Sequence, residues 1–378
     1  MSPRPRRAGS PTAVLPADGR RANLSLVLQT LRRLGPTSRA QLAREVGVTK
    51  VTMSDLVAEL IADGRVRDAG TAEQVGPGKP ATLVDLDRSG LLTLAVDLSV
   101  PARPQAAVVD VTGEVLAREE RDTAAEGVAG RGLDPQVVVD LVRSVLASAP
   151  HPVLGIGIGT PGLVDPDGRV RTAPNLGWRD VALRDLVADA TGVPVVVLND
   201  SDAATQAELS ASPESLDMVL VQVGRGVGCG VVSDGRLVRG AHHAAGEIGH
   251  VTVGTDGGQT CSCGRQGCLE TWLSAPRLRA AVEAGSDPAD PEGVVAVGGH
   301  RLAVALAPLV AALDLSEVVL AGPAALLEPV APVVARSLAE RLLPSLDTPL
   351  SVRLATSPED IVLRGAAASV LWDRLGVV

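Results

Sequence analysis

The sequence predicts an α/β protein: two similar lobes around a cleft, preceded by a small basic α+β head of three helices and a hairpin. Three observations carry this expectation. Residues 1–90 hold 14 Arg and Lys against 9 Asp and Glu, and the remainder 21 against 35, so a basic head precedes an acidic body within a net charge of −9. Apolar residues recur at helical spacing between Asn23 and Leu60. The body then repeats one order of strand, loop, strand, Gly-containing turn and strand, first in LLTLAVDLSVPARPQAAVVDVTGEVLA and again in DMVLVQVGRGVGCGVVSDGRLVRG. At 378 residues the chain exceeds what one core usually supports, which favours two or three domains.

Residues 1–20 are rich in Arg, Pro, Ser and Ala and lack the apolar core of a secretory signal, so they predict a disordered basic tail. From Asn23 to Leu34 an apolar-periodic helix runs into Gly35 and Pro36, which stop it. Ser38 and Gln41 fit a capping box for a second helix, with Leu42, Ala43 and Val46 as its buried stripe and Gly47 as its end. Met53, Leu56, Val57 and Leu60 then define a third helix and leave Lys50, Thr52 and Ser54 on other faces near its start. GRVRDAG and GPGKPATLVDLD make a hairpin whose loop carries Lys79. Helix, tight turn, helix and hairpin over residues 21–88 resemble the winged helix-turn-helix of bacterial repressors. The resemblance implies operator DNA as partner, with Lys50, Thr52 and Ser54 on the DNA-facing helix and Arg39 and Lys79 holding phosphates.

Between and after the two repeats come helical and strand patterns at Pro135 to Ala149, VLGIGIGT, Leu183 to Ala190 and PVVVLND. They place a first lobe at 89–200, joined by a C-terminal helix at 360–378, and a second lobe at 201–359. No apolar run reaches the roughly 18 residues that span a bilayer; the longest, Leu302 to Leu313, contains Pro308, expected to break it. The expectation is a soluble, cytoplasmic chain with no membrane partner.

The string CSCGRQGCLE packs Cys261, Cys263 and Cys268 into one window, just after AGEIGH, which ends at His250. Thiolates and imidazole are the ligands tetrahedral zinc prefers, so this Cys3His set reads as a closed, structural metal site. A disulfide or three buried thiols are the alternatives. Cys229 follows an apolar strand and reads as a core residue.

GIGTPGLVD, APNLGW, LND, DGRLVRG, AGEIGH and the cysteine string occur in the order and spacing of the ROK family, which contains repressors, uncharacterised reading frames and sugar kinases. The resemblance extends over roughly residues 20–375. It implies the actin-like, hexokinase-type two-lobed fold, a sugar or sugar phosphate in the cleft, and zinc held by His250, Cys261, Cys263 and Cys268. It also implies sugar-hydroxyl binders at Asn199, Asp200, Glu247, His250 and Glu270. Gly162 and Asn175 are candidates for the same pocket, equally readable as a turn glycine and a loop-capping amide.

Asp200 stands where a family kinase keeps its general base. Against an active kinase, the family's Asp, any residue, Gly, Gly, Thr, Lys loop is here Asp97, Leu98, Ser99, Val100, Pro101 and Ala102. In the second loop, Gly224 to Gly228, arginine replaces the usual threonine at Arg225, and the third reads VVLAGPAALLEP. Phosphoryl transfer depends on positioning and charge stabilisation, so Asp200 is expected to be vestigial. The resulting expectation is a non-enzymatic, sugar-responsive repressor, homodimeric or larger. The alternatives are an active sugar kinase and a regulator controlled by a protein partner.

Overall fold

The computed structural model describes residues 18–71, 81–123, 132–254, 258–285, 287, 290, 293–343 and 350–376. The head opens with α1 (Asp18–Leu34), which begins inside the stretch expected to be a tail and ends at Gly35, where φ is 71°. It continues with β1 (Thr37–Ser38), α2 (Arg39–Val46), α3 (Lys50–Ala62), β2 (Val66–Thr71) and β3 (Thr82–Leu86). The three strands form an antiparallel sheet ordered β1-β3-β2. Ser38 accepts the Gln41 N–H at 3.3 Å. No described hydrogen bond returns from the exposed Gln41 side chain, so only the N-cap half of the expected box is formed. Gly47 closes α2 at φ 78°, and Thr49 caps α3. Val27, Leu31, Leu42, Met53, Leu56 and Leu60 form the head's core. Lys79 lies outside the described residues.

The first lobe contains β4 (Leu92–Asp97), β5 (Gln105–Val109), β6 (Val115–Glu120), α4 (Pro135–Ser148), β7 (Val153–Thr160), β8 (Leu163–Val164), β9 (Val170–Ala173), β10 (Trp178–Val181), α5 (Leu183–Thr191) and β11 (Val195–Asn199). β4 is buried at every position, as a central strand must be, and β6 alternates as an edge strand should. The second lobe contains α6 (Asp200–Ala211), β12 (Met218–Val223), β13 (Val227–Ser233), β14 (Arg236–Leu237), α7 (Ala275–Glu283), α8 (Val294–Leu313), β15 (Glu317–Ala321), α9 (Ala324–Leu327), α10 (Val330–Ala339) and β16 (Ser351–Leu354). α11 (Ile361–Leu375) is the last element.

Both large sheets have one topology. The first is ordered β6-β5-β4-β7-β11 and the second β14-β13-β12-β15-β16. In each, the leading hairpins are antiparallel and the two later strands add in parallel. The repeat legible in the sequence is therefore the pair of hairpins that starts each lobe.

Pro308 does not interrupt α8. Its ring removes one N–H, and the carbonyl left without that donor belongs to Val304, a residue on the helix's exposed side. α8 is the one described helix long and apolar enough to cross a membrane; Leu302, Ala303, Leu306 and Val310 place one face of it in the second lobe's core.

α6 and α11 pack closely, since a Cβ on Gly365 would lie 1.7 Å from the Ala203 carbonyl oxygen. The head sits on the end of this pair. Ser25 and Gln29 of α1 donate to the Gly376 carbonyl at 2.6 and 2.5 Å, and Leu371 and Leu375 of α11 join the head's core.

Candidate functional site

β11 ends where α6 begins, and this junction holds Asn199 and Asp200. Asn199 caps α6 by accepting the N–H groups of Ser201 and Asp202 at 2.8 and 3.3 Å, and its Nδ2 donates to the Gly162 carbonyl at 2.9 Å. One amide hydrogen is left for a ligand. Gly162 has φ 94°, and a Cβ there would lie 2.1 Å from the Thr172 carbonyl oxygen, so backbone crowding alone requires glycine. Asn175 is exposed in the turn Pro174–Leu176, and no described hydrogen bond joins it to this cluster.

Asp200 is partly open to the cleft but surrounded by protein. That enclosure, with the charges of Asp97 and Glu247, pushes its carboxyl up to about 7 against the opposing Ser201 N–H. Asp97, at the end of β4, is also raised by burial while accepting from the Ser99 N–H at 2.8 Å and Gln105 at 3.2 Å. Burial lifts Asp202 to about 6, opposed by Arg239.

Across the cleft, the cysteine string folds back on the segment after His250. Val253 N–H bonds the Gly267 carbonyl and Leu269 N–H that of Val251, each at 3.0 Å. His250, Cys261, Cys263 and Cys268 thereby bring their ligand atoms within 4.8 Å of one another. Cys261 Sγ lies 3.4 Å from His250 Nδ1, and Cys263 Sγ 3.7 Å from Cys268 Sγ. A tetrahedral site with Zn–S of about 2.3 Å and Zn–N of about 2.05 Å has S···S edges of about 3.8 Å and S···N edges of about 3.5 Å. The donor set therefore fits one metal, and 3.7 Å is far beyond a disulfide of about 2.05 Å. With Nδ1 turned to the thiols, Nε2 remains on the other side of the ring.

Glu270 joins the two halves of this site. Its Oε1 accepts from Cys261 at 2.8 Å and Ser262 at 3.1 Å. A Cβ on Gly226 would lie 2.9 Å from its Oε2, which brings the β12–β13 loop and exposed Arg225 beside it. Cys229 stands apart, its buried thiol pushed up to about 12 by burial. Sequence reasoning overlooked Arg301 of α8. It donates to the Val253 carbonyl at 2.7 Å and lies 4.7 Å from the Trp272 ring centroid, pinning both strands of the metal loop. Only tertiary packing reveals this residue.

The loop after β4 engages three of its amides within the protein. Leu98 N–H bonds the Gly159 carbonyl, Ser99 N–H bonds Asp97, Arg103 N–H bonds the Val100 carbonyl, and Pro101 has none.

On the head, Lys50 is exposed at the start of α3. Thr52 shares a 2.9 Å hydroxyl contact with Thr49, while Ser54 donates to the Lys50 carbonyl at 2.9 Å. Arg39 is drawn into a 3.3 Å ion pair with Asp68. Val51, between Lys50 and Thr52, is 72% exposed, an apolar surface residue that the sequence reading missed. The available signal was its place outside the Met53, Leu56, Val57 and Leu60 stripe.

The xylose repressor of Bacillus subtilis (strain 168) is 28% identical over 264 residues, 68% of this chain and 67% of that protein. A glucokinase of Halalkalibacterium halodurans is 44% identical over 126 residues, 32% of this chain and 38% of the kinase. Among solved structures, a ROK family transcriptional regulator described as a homologue of the E. coli MLC protein superposes with a TM-score of 0.74 at 24% identity, covering 94% of this chain and 97% of that one. The fold is thus that of a ROK body behind an N-terminal head. The sequence model of the ROK family matches residues 95–372, most of the chain, and the chain belongs to the ROK family.

Proposed function

We propose that this protein is a sugar-responsive, DNA-binding transcriptional repressor. The observation that carries the reading is one chain with a winged head that exposes Lys50 and Val51 beside the half-buried Thr52, and a cleft gathering Asn199, Asp200, Glu247, His250 and Glu270. Carboxylates, an amide and an imidazole converging on a cleft suit the hydroxyls of a sugar. His250 Nδ1, Cys261, Cys263 and Cys268 hold a structural zinc, which fixes the imidazole ring and leaves Nε2 free to meet a hydroxyl. Lys50, Thr52 and Ser54 lie on the helix that enters the groove, and Arg39 and Lys79 serve phosphates, Arg39 after release from Asp68. In a homodimer the two heads must match half-sites about 34 Å apart, so lobe closure on sugar that moves the heads releases the operator.

Fluorescence anisotropy with the promoter DNA beside the protein's own gene tests this, titrated with xylose, glucose, N-acetylglucosamine and their phosphates. One of them should weaken binding at least tenfold. Tight, specific DNA binding that no sugar alters would overturn the sugar half of the reading.

Catalysis is the second reading, favoured by Asp200, whose carboxyl near 7 suits a general base. The loop after Asp97 argues against it, because Pro101 offers no amide and those of Leu98, Ser99 and Arg103 are already bonded, which leaves few for a phosphate. Sugar-dependent ADP release that disappears in Asp200→Asn would establish the kinase instead.

A further inference from the structure

A cavity of about 270 Å³ lies at the junction of the head and the body, away from the sugar cleft. Its walls come from the end of α1, the β5–β6 turn, the last turn of α6 and one face of α11, with Ser357 from the second lobe. Two guanidinium groups line it, Arg32 of α1 and Arg364 of α11. Among the described residues neither has an ion pair. Arg32 Nη1, Arg364 Nε and Ser210 Oγ are buried with no hydrogen-bond partner, three such atoms around one small space. Burial alone holds Arg32 below the ordinary arginine range.

The carboxylates in the wall do not neutralise this pair. Asp110 Oδ1 accepts from the N–H and hydroxyl of Thr112 and from the Glu114 N–H, and its Oδ2 lies 3.6 Å from Arg88. Glu208 is held by Arg353 at 2.6 Å and by Thr356. A guanidinium cannot shed its proton at physiological pH, so two half-buried ones beside carboxylates that are engaged elsewhere leave N–H groups and charge for a further ligand. Planar N–H forks are suited to phosphate oxygens, which they bind two at a time.

We propose that this cavity binds a small phosphate-like dianion, free or as the phosphoryl group of a small metabolite, and that the bound ion clamps the head to the body. The three unpaired groups belong to three helices: α1 of the head, α11 beneath the first lobe, and α6, whose first residue is Asp200. A dianion among them adds a charge-assisted tie where the Ser25 and Gln29 hydrogen bonds already hold the head to α11.

The test uses the full-length chain. Inorganic phosphate is titrated by calorimetry and thermal shift at constant ionic strength against chloride, with glucose 6-phosphate in a parallel arm. Saturable binding, a raised melting temperature and slower amide hydrogen exchange in α1 are expected. Arg32→Gln and Arg364→Gln should weaken phosphate at least tenfold, whereas Arg225→Ala and Lys50→Ala should leave it unchanged. Should either glutamine variant fail to fold, Arg32→Lys and Arg364→Lys, which keep charge but lose the fork, should still weaken binding severalfold. Binding by inorganic phosphate alone identifies the free ion, and competition by glucose 6-phosphate that also disappears in the arginine variants identifies a metabolite's phosphoryl group. The absence of saturable phosphate binding by the unmodified protein, or binding lost in Arg225→Ala and kept in the arginine variants, would refute the site.

Discussion

Replacing Asp200 with asparagine keeps the side chain's shape and removes its charge, and the effect on stability should depend on pH with a definite sign. The folded-state carboxyl titrates at about 7, against an ordinary value of 3.8. Between those values the folded chain holds a proton that the unfolded chain has released, so stability falls as pH rises. A gap of about 3 units corresponds to a ceiling of about 4 kcal/mol at pH 8. Because Asp200 is partly open to the cleft, solvent screening brings the expected cost to about 2 kcal/mol. The asparagine side chain is neutral throughout, so Asp200→Asn should melt above the unmodified protein at pH 8, and the difference should shrink toward zero at pH 4. Paired thermal melts at pH 4.5, 6, 7 and 8 measure it; since Asp97 titrates in both chains, only the difference between them is informative. A difference that does not grow between pH 5 and 8, or a variant less stable at pH 8, would refute the reasoning.

Removing metal with a chelator should lower the melting temperature of the second lobe more than any single substitution here, because structural zinc sites supply roughly 10–16 kcal/mol of apparent binding free energy. An unchanged melt after verified metal loss would contradict the structural role. Lys50→Ala should weaken operator binding and reduce the slope of log affinity against log salt by about 1, read from anisotropy at several salt concentrations. Arg301→Met removes the Val253 hydrogen bond and the Trp272 contact, together worth about 1–3 kcal/mol, and should lower metal affinity in a chromophoric chelator competition while shifting Trp272 emission. Glu270→Gln should cost sugar affinity about tenfold or more by calorimetry, with metal content unchanged.

The legible parts of the fold were those written in local periodicity. Met53, Leu56, Val57 and Leu60 announce α3 because one face of a helix must be apolar to be buried, and all four are buried. The doubled hairpins were equally visible, because turn glycines and alternating strands recur in order. Local rules misjudged Pro308, where the residue that loses its donor, Val304, lies on the exposed side and the helix continues. They also stopped short of contacts between distant segments. Ser25 meets Gly376 across 351 residues, and Arg301 meets Val253 across 48. The clustering of His250, Cys261, Cys263 and Cys268 was readable from chemistry and spacing, but the brace behind them was not. The family resemblance singled out Asn199, yet its capping of α6 and its bond to Gly162 depend on where β11 stops.

The cleft and the head are joined by helices rather than by a loose tether. α6 starts at Asp200 and ends at Ala211, so at about 1.5 Å per residue it spans about 18 Å from the sugar candidates to the junction with the head. It cannot slide freely against α11, because the Ala203 carbonyl occupies the space a side chain on Gly365 would need. Gly157 likewise leaves no room between β7 and Ala366. α11 in turn carries α1 through the Gly376 carbonyl and the contacts of Leu371 and Leu375. The lobe closure proposed above would have to reach the head through this helix pair, and the close contact at Gly365 is where α6 and α11 would pass it on.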